Sequence, residues 1–152
     1  MLVRSDRQYA FDVDRDAFWS AIESTDAYRR WWPWLRQLDA RGLVAGDTWT
    51  CVVQPPLPYA LRFTVTIDEV VPGVRAVATI AGEIEGDAWL EVTDRAACDG
   101  RPGGCDVRLV SSLTPASGVL RTIAAVARPV AQFGHDWVLD VGMRQFRRHA
   151  LD

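Results

Sequence analysis

The chain has 152 residues, enough for one domain with a substantial buried core, and a formal net charge of −3. That sign argues against a nucleic-acid surface, which is normally basic. All 17 basic residues are arginine, which excludes Schiff-base and pyridoxal-phosphate chemistry and a Walker-type lysine.

The opening stretch, MLVRSDRQYAF, lacks the long apolar core of a signal peptide. No apolar run approaches membrane-span length. A cytoplasmic protein without stable membrane insertion is the expectation. Tyr9, Phe11 and Val13 alternate with Ala10 and Asp12, which predicts a short half-buried strand. Asp14 can cap a following helix, with Asp16 in its first turn and Phe18, Trp19 and Ile22 as its apolar stripe. Ser24, Thr25 and Asp26 end that helix and can cap a second, short one. Pro33 limits the second helix, because the residue before a proline is pushed out of the α region.

From residue 35 the pattern switches to period two. Residues 35–41 read as a weak strand, and TWTCVVQ puts Trp49, Cys51 and Val53 on one face. PPLP at 55–58 is a loop that cannot join a ladder. In LRFTVTIDEVV, Leu61, Phe63, Val65 and Ile67 point in, while Arg62, Thr64, Thr66 and Asp68 point out. Pro72–Gly73 is a turn. Ala76, Ala78, Ile80, Gly82 and Ile84 share the next inward face, and Gly82 and Gly86 bracket an expected hairpin turn. Ala88, Leu90 and Val92 form one further inward face; Val107, Leu109, Ser111 and Leu113 form the last. Thr114–Pro115 reads as an N-cap and first-turn pair for a helix over 116–127, which Pro129 kinks or restarts.

The run from about Arg128 to Leu151 predicts one long amphipathic helix. Val130, Gly134, Trp137, Val138, Leu139, Val141, Gly142 and Phe146 fall on one broad arc; Gln132, Asp136, Asp140, Arg144 and Arg147 fall on the other. An apolar arc that wide needs a large partner surface such as a curved sheet. Two glycines on it are notable, since each costs about 1 kcal/mol against alanine. They bring a surface close or leave room, and the helix reads as the lid of a sheet-lined cavity. The architecture is α+β: a curved antiparallel sheet of about six to seven strands around a long C-terminal helix, with two short helices after the first strand. One domain covers residues 1–152, with no repeat or linker.

Cys98 and Cys105 flank a turn-rich loop, as two thiols or as a pair across it; a reducing cytosol favours thiols. Two histidines and three cysteines show no zinc-ligand spacing, and the glycine spacing at 82–86 opens no helix as a dinucleotide fingerprint would. Neither a metal nor a cofactor is expected.

Three stretches, in this order, resemble the START-like, Bet v 1-like (SRPBCC) superfamily of the helix-grip fold. They are FWSAIESTDAYRRWWPWL at 18–35, GEIEGDAWLEV at 82–92 and RPVAQFGHDWVLDVGMRQFRR at 128–148. Within that superfamily the chain looks like the bacterial polyketide cyclase/dehydrase and lipid-transport-type proteins. The resemblance implies a cavity between helix and sheet that takes an apolar or polycyclic ligand.

The inward set gives the candidate cavity residues: Trp49, Cys51, Phe63, Val65, Ile80 and Leu90, then Leu109, Ser111, His135, Leu139 and Gly142. His135, an ionisable ring on an apolar arc, is a satisfied core histidine, a ligand contact or, in an enzyme, the proton shuttle. Trp31, Trp32 and Trp34, with Tyr59 from the 55–60 loop, are the candidate cavity entrance; the bland alternative is core packing. His149 near the chain end fits a helix C-terminal dipole. Two functions remain open. One is binding or transport of a small hydrophobic molecule (a lipid, polyketide-like or aromatic ligand). The other is a polyketide cyclase/aromatase or dehydratase using the same cavity. Sequence does not fix the oligomeric state.

Overall fold

The computed structural model describes residues 3–56, 59–98, 100, 103–116, 118, 121 and 128–151, with side chains for all but 128–131. Strand β1 spans Val3–Phe11, longer than the alternation from Tyr9 predicts. Its inward positions include Ser5 and Arg7, and polar residues there hide the period. Asp14 caps α1 (Arg15–Glu23), its carboxylate accepting from the Ala17 N–H at 2.7 Å. Phe18 and Trp19 bury the helix's apolar side. A 3-10 turn (Thr25–Ala27) leads into α2 (Tyr28–Trp31), which stops before Pro33. The meander follows: β2 Leu35–Asp39, β3 Thr48–Val53, β4 Leu61–Val71, β5 Arg75–Gly82, β6 Ile84–Arg95 and β7 Gly104–Pro115. Helix α3 runs Arg128–Ala150.

All strand pairs are antiparallel, and the seven-stranded order is β1-β7-β6-β5-β4-β3-β2. The short turns of the meander place each new strand beside the last, and β1 closes onto β7. This is the expected α+β helix-grip arrangement.

Two local expectations are corrected. Gly86 is not at a turn. The chain reverses at Glu83, and Gly86 sits inside β6, opposite Ile80 and Leu113. A Cβ there would lie 1.8 Å from the Ser112 carbonyl oxygen, so the backbone approach needs glycine. Thr114 and Pro115 do not open a helix. They end β7, opposite Glu85 and Ile84, where a residue without an N–H interrupts no further ladder. Most of the helix expected over 116–127, the side chain of Val130, and residues 99, 101 and 102 of the Cys98–Cys105 loop lie outside the described residues. Of the two loop cysteines, Cys105 is buried and Cys98 exposed.

Direct partners across the strands share a face, so the register lays out the concave side in rows. One row reads Ile67, Ala78, Ala88, Ser111, Ser5; the next reads Ala76, Leu90, Leu109, Arg7. Helix α3 lies against this side. Under its C-terminal half the space is filled by rings. Phe146 meets Phe11, Phe18 and Trp31 at centroid distances of 6.0, 5.6 and 5.6 Å. Tyr28 packs on Trp31 and Trp32 beside them.

Gly142 belongs to this filled half. A Cβ on it would come within 3.0 Å of the Trp34 ring, and its carbonyl accepts from Trp32 Nε1 at 2.8 Å. The glycine brings two surfaces together and leaves no room for a ligand. Gly142→Leu is therefore expected to lower the melting temperature. Overpacking costs about 1–3 kcal/mol, more than the roughly 1 kcal/mol gained in helix propensity. Thermal unfolding of the variant checks this, and an unchanged or higher midpoint would contradict it.

Candidate functional site

Under the N-terminal half of α3 the rows hold small side chains. Ala88, Ser111 and Ser5 stand in line on the sheet, and Gly134 faces them from the helix. A pocket of about 250 Å³ remains there. Helix α3 contributes Gly134, His135, Val138 and Leu139. The β6–β7 centre contributes Ile84, Ala88, Leu109, Ser111 and Leu113, with Thr114 and Pro115 at the strand end. Val3 comes from β1, Leu61 and Phe63 from β4, Val53 from β3, and Pro55 and Tyr59 from the following loop.

The structure brings together six of the candidates read from sequence: Phe63, Leu109, Ser111, His135, Leu139 and Tyr59. It places the others elsewhere. Val65 and Leu90 face the concave side but pack against the aromatic core, and Ile80 is buried opposite Val65. Trp49 packs on Tyr28, its Nε1 donating to the Gly42 carbonyl at 2.9 Å. Cys51 is core, and burial pushes its thiol up to about 11, so it is no thiolate nucleophile. Trp31, Trp32 and Trp34 form part of the plug, not the pocket wall. Trp31 is buried, Trp32 bonds to Gly142, and Trp34 Nε1 donates to Gln145 Oε1 at 2.9 Å. The rings reach the helix one to two turns beyond the pocket because Gly142 admits them.

Sequence reasoning missed Val3, whose strand it began too late. Leu61, Val53, Ala88 and Leu113 were already on the predicted inward faces. What alternation alone could not say is which inward residues face a void and which face a ring.

The polar part of the lining centres on His135. Its Nε2 lies 3.4 Å from Ser111 Oγ. Its Nδ1 is buried without a hydrogen-bond partner, 3.6 Å from Asp136 Oδ1. Burial pushes the His135 pKa below its ordinary 6.5; the Asp136 carboxylate opposes this and the Arg7 guanidinium adds to it. The imidazole is neutral at pH 7. Asp136 is itself held: Oδ1 accepts from Arg7 Nη2 at 3.1 Å and from Gln132 Nε2 at 2.9 Å, while Arg7 Nη1 reaches Asp140 Oδ1 at 2.5 Å. Edge strand β1 is thus clasped to the helix beside the pocket.

Ser111, His135 and Asp136 form the sequence of groups that activates a serine nucleophile, but the surroundings do not complete an acyl-transfer site. That chemistry needs N–H donors aimed at an oxyanion. Strand β7 is paired on both edges around Ser111, with Ser5 and with Ala88, so its own N–H groups are spent in the ladders. Among the described residues no three His, Cys, Asp or Glu side chains lie close enough to hold a metal ion. No described helix is long and apolar enough to cross a membrane.

No protein-family model and no curated protein sequence matches this chain. Solved structures do. The KanY protein matches with a TM-score of 0.70 at 16% identity, over 100% of this chain and 99% of that one. The di-domain ARO/CYC protein BexL of the BE-7585A biosynthetic pathway matches with a TM-score of 0.72 at 9% identity, over 98% of this chain and 50% of that one. Norcoclaurine synthase from Thalictrum flavum, in complex with dopamine and hydroxybenzaldehyde, matches with a TM-score of 0.61 at 10% identity, over 98% of this chain and 88% of that one. At these identities the likeness is one of fold: the chain shares the helix-grip arrangement with these structures.

A neutral buried histidine contributes stability that is complete above the unfolded pKa and lost as pH falls below it. In that window the unfolded chain takes up a proton that the folded one resists. The loss therefore begins near 6.5 and runs down to the lowered folded pKa of His135. His135→Phe should flatten the decline in melting temperature as the pH falls below 6.5. An identical pH dependence in both proteins would contradict a buried neutral ring.

Proposed function

We propose that this protein binds a small hydrophobic molecule in the pocket under the N-terminal half of α3, and acts as a carrier or sensor of it. The observation that carries this reading is a pocket of about 250 Å³ walled by apolar side chains from β1, β3, β4, β6, β7 and α3. An apolar hollow with a few placed polar groups is the usual form of a small-molecule site. The fold of norcoclaurine synthase supports small-molecule binding by analogy, since its solved structure holds small aromatic compounds.

The alternative is a cyclase/aromatase or dehydratase-type enzyme, with His135 as proton shuttle. The likeness to an ARO/CYC protein favours it. Against it stands the lining, whose polar side chains are Ser111, His135, Thr114 and Tyr59 among the described residues. No carboxylate stands among them, whereas catalysis needs several convergent acid, base and electrophilic groups.

Ala88 lines the pocket from β6, opposite Ser111 and apart from the aromatic plug, so Ala88→Phe puts a ring into the hollow. The parent protein is expected to raise the fluorescence of a neutral aminonaphthalene. The variant should stay folded and bind it at least about tenfold more weakly, a loss of ~1.4 kcal/mol. Equal binding by both would move the site elsewhere. Turnover of poly-ketone substrates by the parent, abolished in His135→Phe, would replace the carrier by the enzyme.

A further inference from the structure

The pocket also carries information about which ligand it takes. Every described lining residue is uncharged at pH 7, His135 included. Among the described residues no lysine, arginine or carboxylate side chain lines it; the Arg121 guanidinium stands outside the lining, its Nε donating to the Pro115 carbonyl at 3.4 Å. A charged head group placed there would lose its water and find no counter-charge, which is costly. The size is informative too. Benzene occupies an engineered apolar cavity of about 150 Å³, so 250 Å³ takes roughly one or two fused rings.

The direction of the polar spot follows from its neighbours. The neutral imidazole has one N–H and one lone pair. Nδ1 faces the Asp136 carboxylate at 3.6 Å, and that oxygen is fixed by Arg7 and Gln132. A negative oxygen on that side favours the proton on Nδ1. Nε2 is then an acceptor, and with no guest the Ser111 hydroxyl donates to it at 3.4 Å. A ligand hydroxyl can take the serine's place: its O–H donates to Nε2, and its oxygen accepts from the Ser111 hydroxyl turned towards it. A carbonyl or ether can only draw the serine hydroxyl away and leave Nε2 without a donor. A carboxylate would bring its negative charge against a lone pair, with Asp136 behind it.

We propose that the ligand is a neutral one- or two-ring aromatic bearing a hydroxyl, and that Asp136, by fixing the Nδ1–H tautomer of His135, makes Nε2 the acceptor that selects it. This rests on the binding function above and narrows it. It places ligands whose charged group must enter the pocket outside the ligand class.

Two measurements test it at pH 7.5. Nitrogen-15 NMR of the labelled protein reads the His135 tautomer directly. The Nδ1–H form is expected; the Nε2–H form or the imidazolium overturns the proposal. Calorimetry then compares naphthol, naphthalene and naphthoate against the parent, His135→Phe and Ser111→Ala. In the parent, naphthol should bind about 2- to 13-fold more tightly than naphthalene, the worth of one neutral hydrogen bond. Naphthoate should bind at least about a hundredfold more weakly than naphthol. His135→Phe should bring the naphthol and naphthalene affinities together, with thermal unfolding checking that the variant is folded. Ser111→Ala, with little volume change, should narrow the same ratio if the phenylalanine variant fails to fold. A parent that does not distinguish naphthol from naphthalene, or that binds naphthoate as well as naphthol, overturns the proposal. So does a ratio unchanged in the variants. Binding of the neutral aminonaphthalene with none of these preferences leaves the carrier reading standing and removes this one. No binding of any of the four compounds removes both.

Discussion

The pinning of helix α3 at its C-terminal half is the constraint on which the rest of the structure depends. Phe146 enters a nest of rings from three other elements: Phe11 at the end of β1, Phe18 of α1 and Trp31 of α2. Rings at 5–7 Å in tilted or edge-on arrangements contribute beyond their buried area. Full burial of one such side chain is worth about 1.5–3 kcal/mol. Gly142 completes the anchorage by letting the Trp32 and Trp34 rings lie against the helix backbone. With one half so fixed, the helix cannot settle onto the sheet along its whole length. The helix then leaves space above Ala88 and Ser111, and the pocket is what remains.

The other half of α3 is held by charge. Arg7 on β1 reaches Asp136 and Asp140 across the edge of the groove, and all three side chains are partly exposed. Exposed ion pairs are worth little in isolation. Their effect here is directional: they hold the helix at the pocket's rim and orient the carboxylate that faces His135. An apolar plug holds one end of the helix and a polar clasp the other. The clasped end covers the pocket.

The fold was readable because both periodicities were clean. The alternation at Leu61–Ile67, Ala88–Val92 and Val107–Leu113 placed the concave face correctly, and the broad apolar arc of α3 required a curved partner. The failures were local. Gly86 resembled a turn residue because glycine serves close backbone approach and turns alike. Thr114–Pro115 resembled a helix start because the pair is equally at home at a strand's last rung. In β1, Ser5 and Arg7 broke the apolar alternation at the positions that meet the helix. The site was half legible. Strand parity pointed Phe63, Leu109 and Ser111, and the helix arc His135 and Leu139, to the side where the pocket lies, because periodicity reports direction. The same periodicities also offered Val65, Ile80, Leu90 and Gly142, because direction does not report depth. Whether an inward residue meets space or a tryptophan depends on where along α3 the rings of α1 and α2 land, a long-range fact that no window of sequence contains.

The central claim is that the hollow under residues 134–139 is open, apolar and the preferred site for a neutral guest, while the half under Gly142 and Phe146 is solid. Xenon probes this most directly, since it enters apolar cavities without hydrogen bonding or charge. In a crystal of the protein pressurised with xenon, the account predicts an anomalous peak between Ala88, Leu109 and Leu139, and none between Trp34 and Gly142. A peak at the tryptophan corner, or a pocket closed by these side chains with no xenon in it, would contradict it.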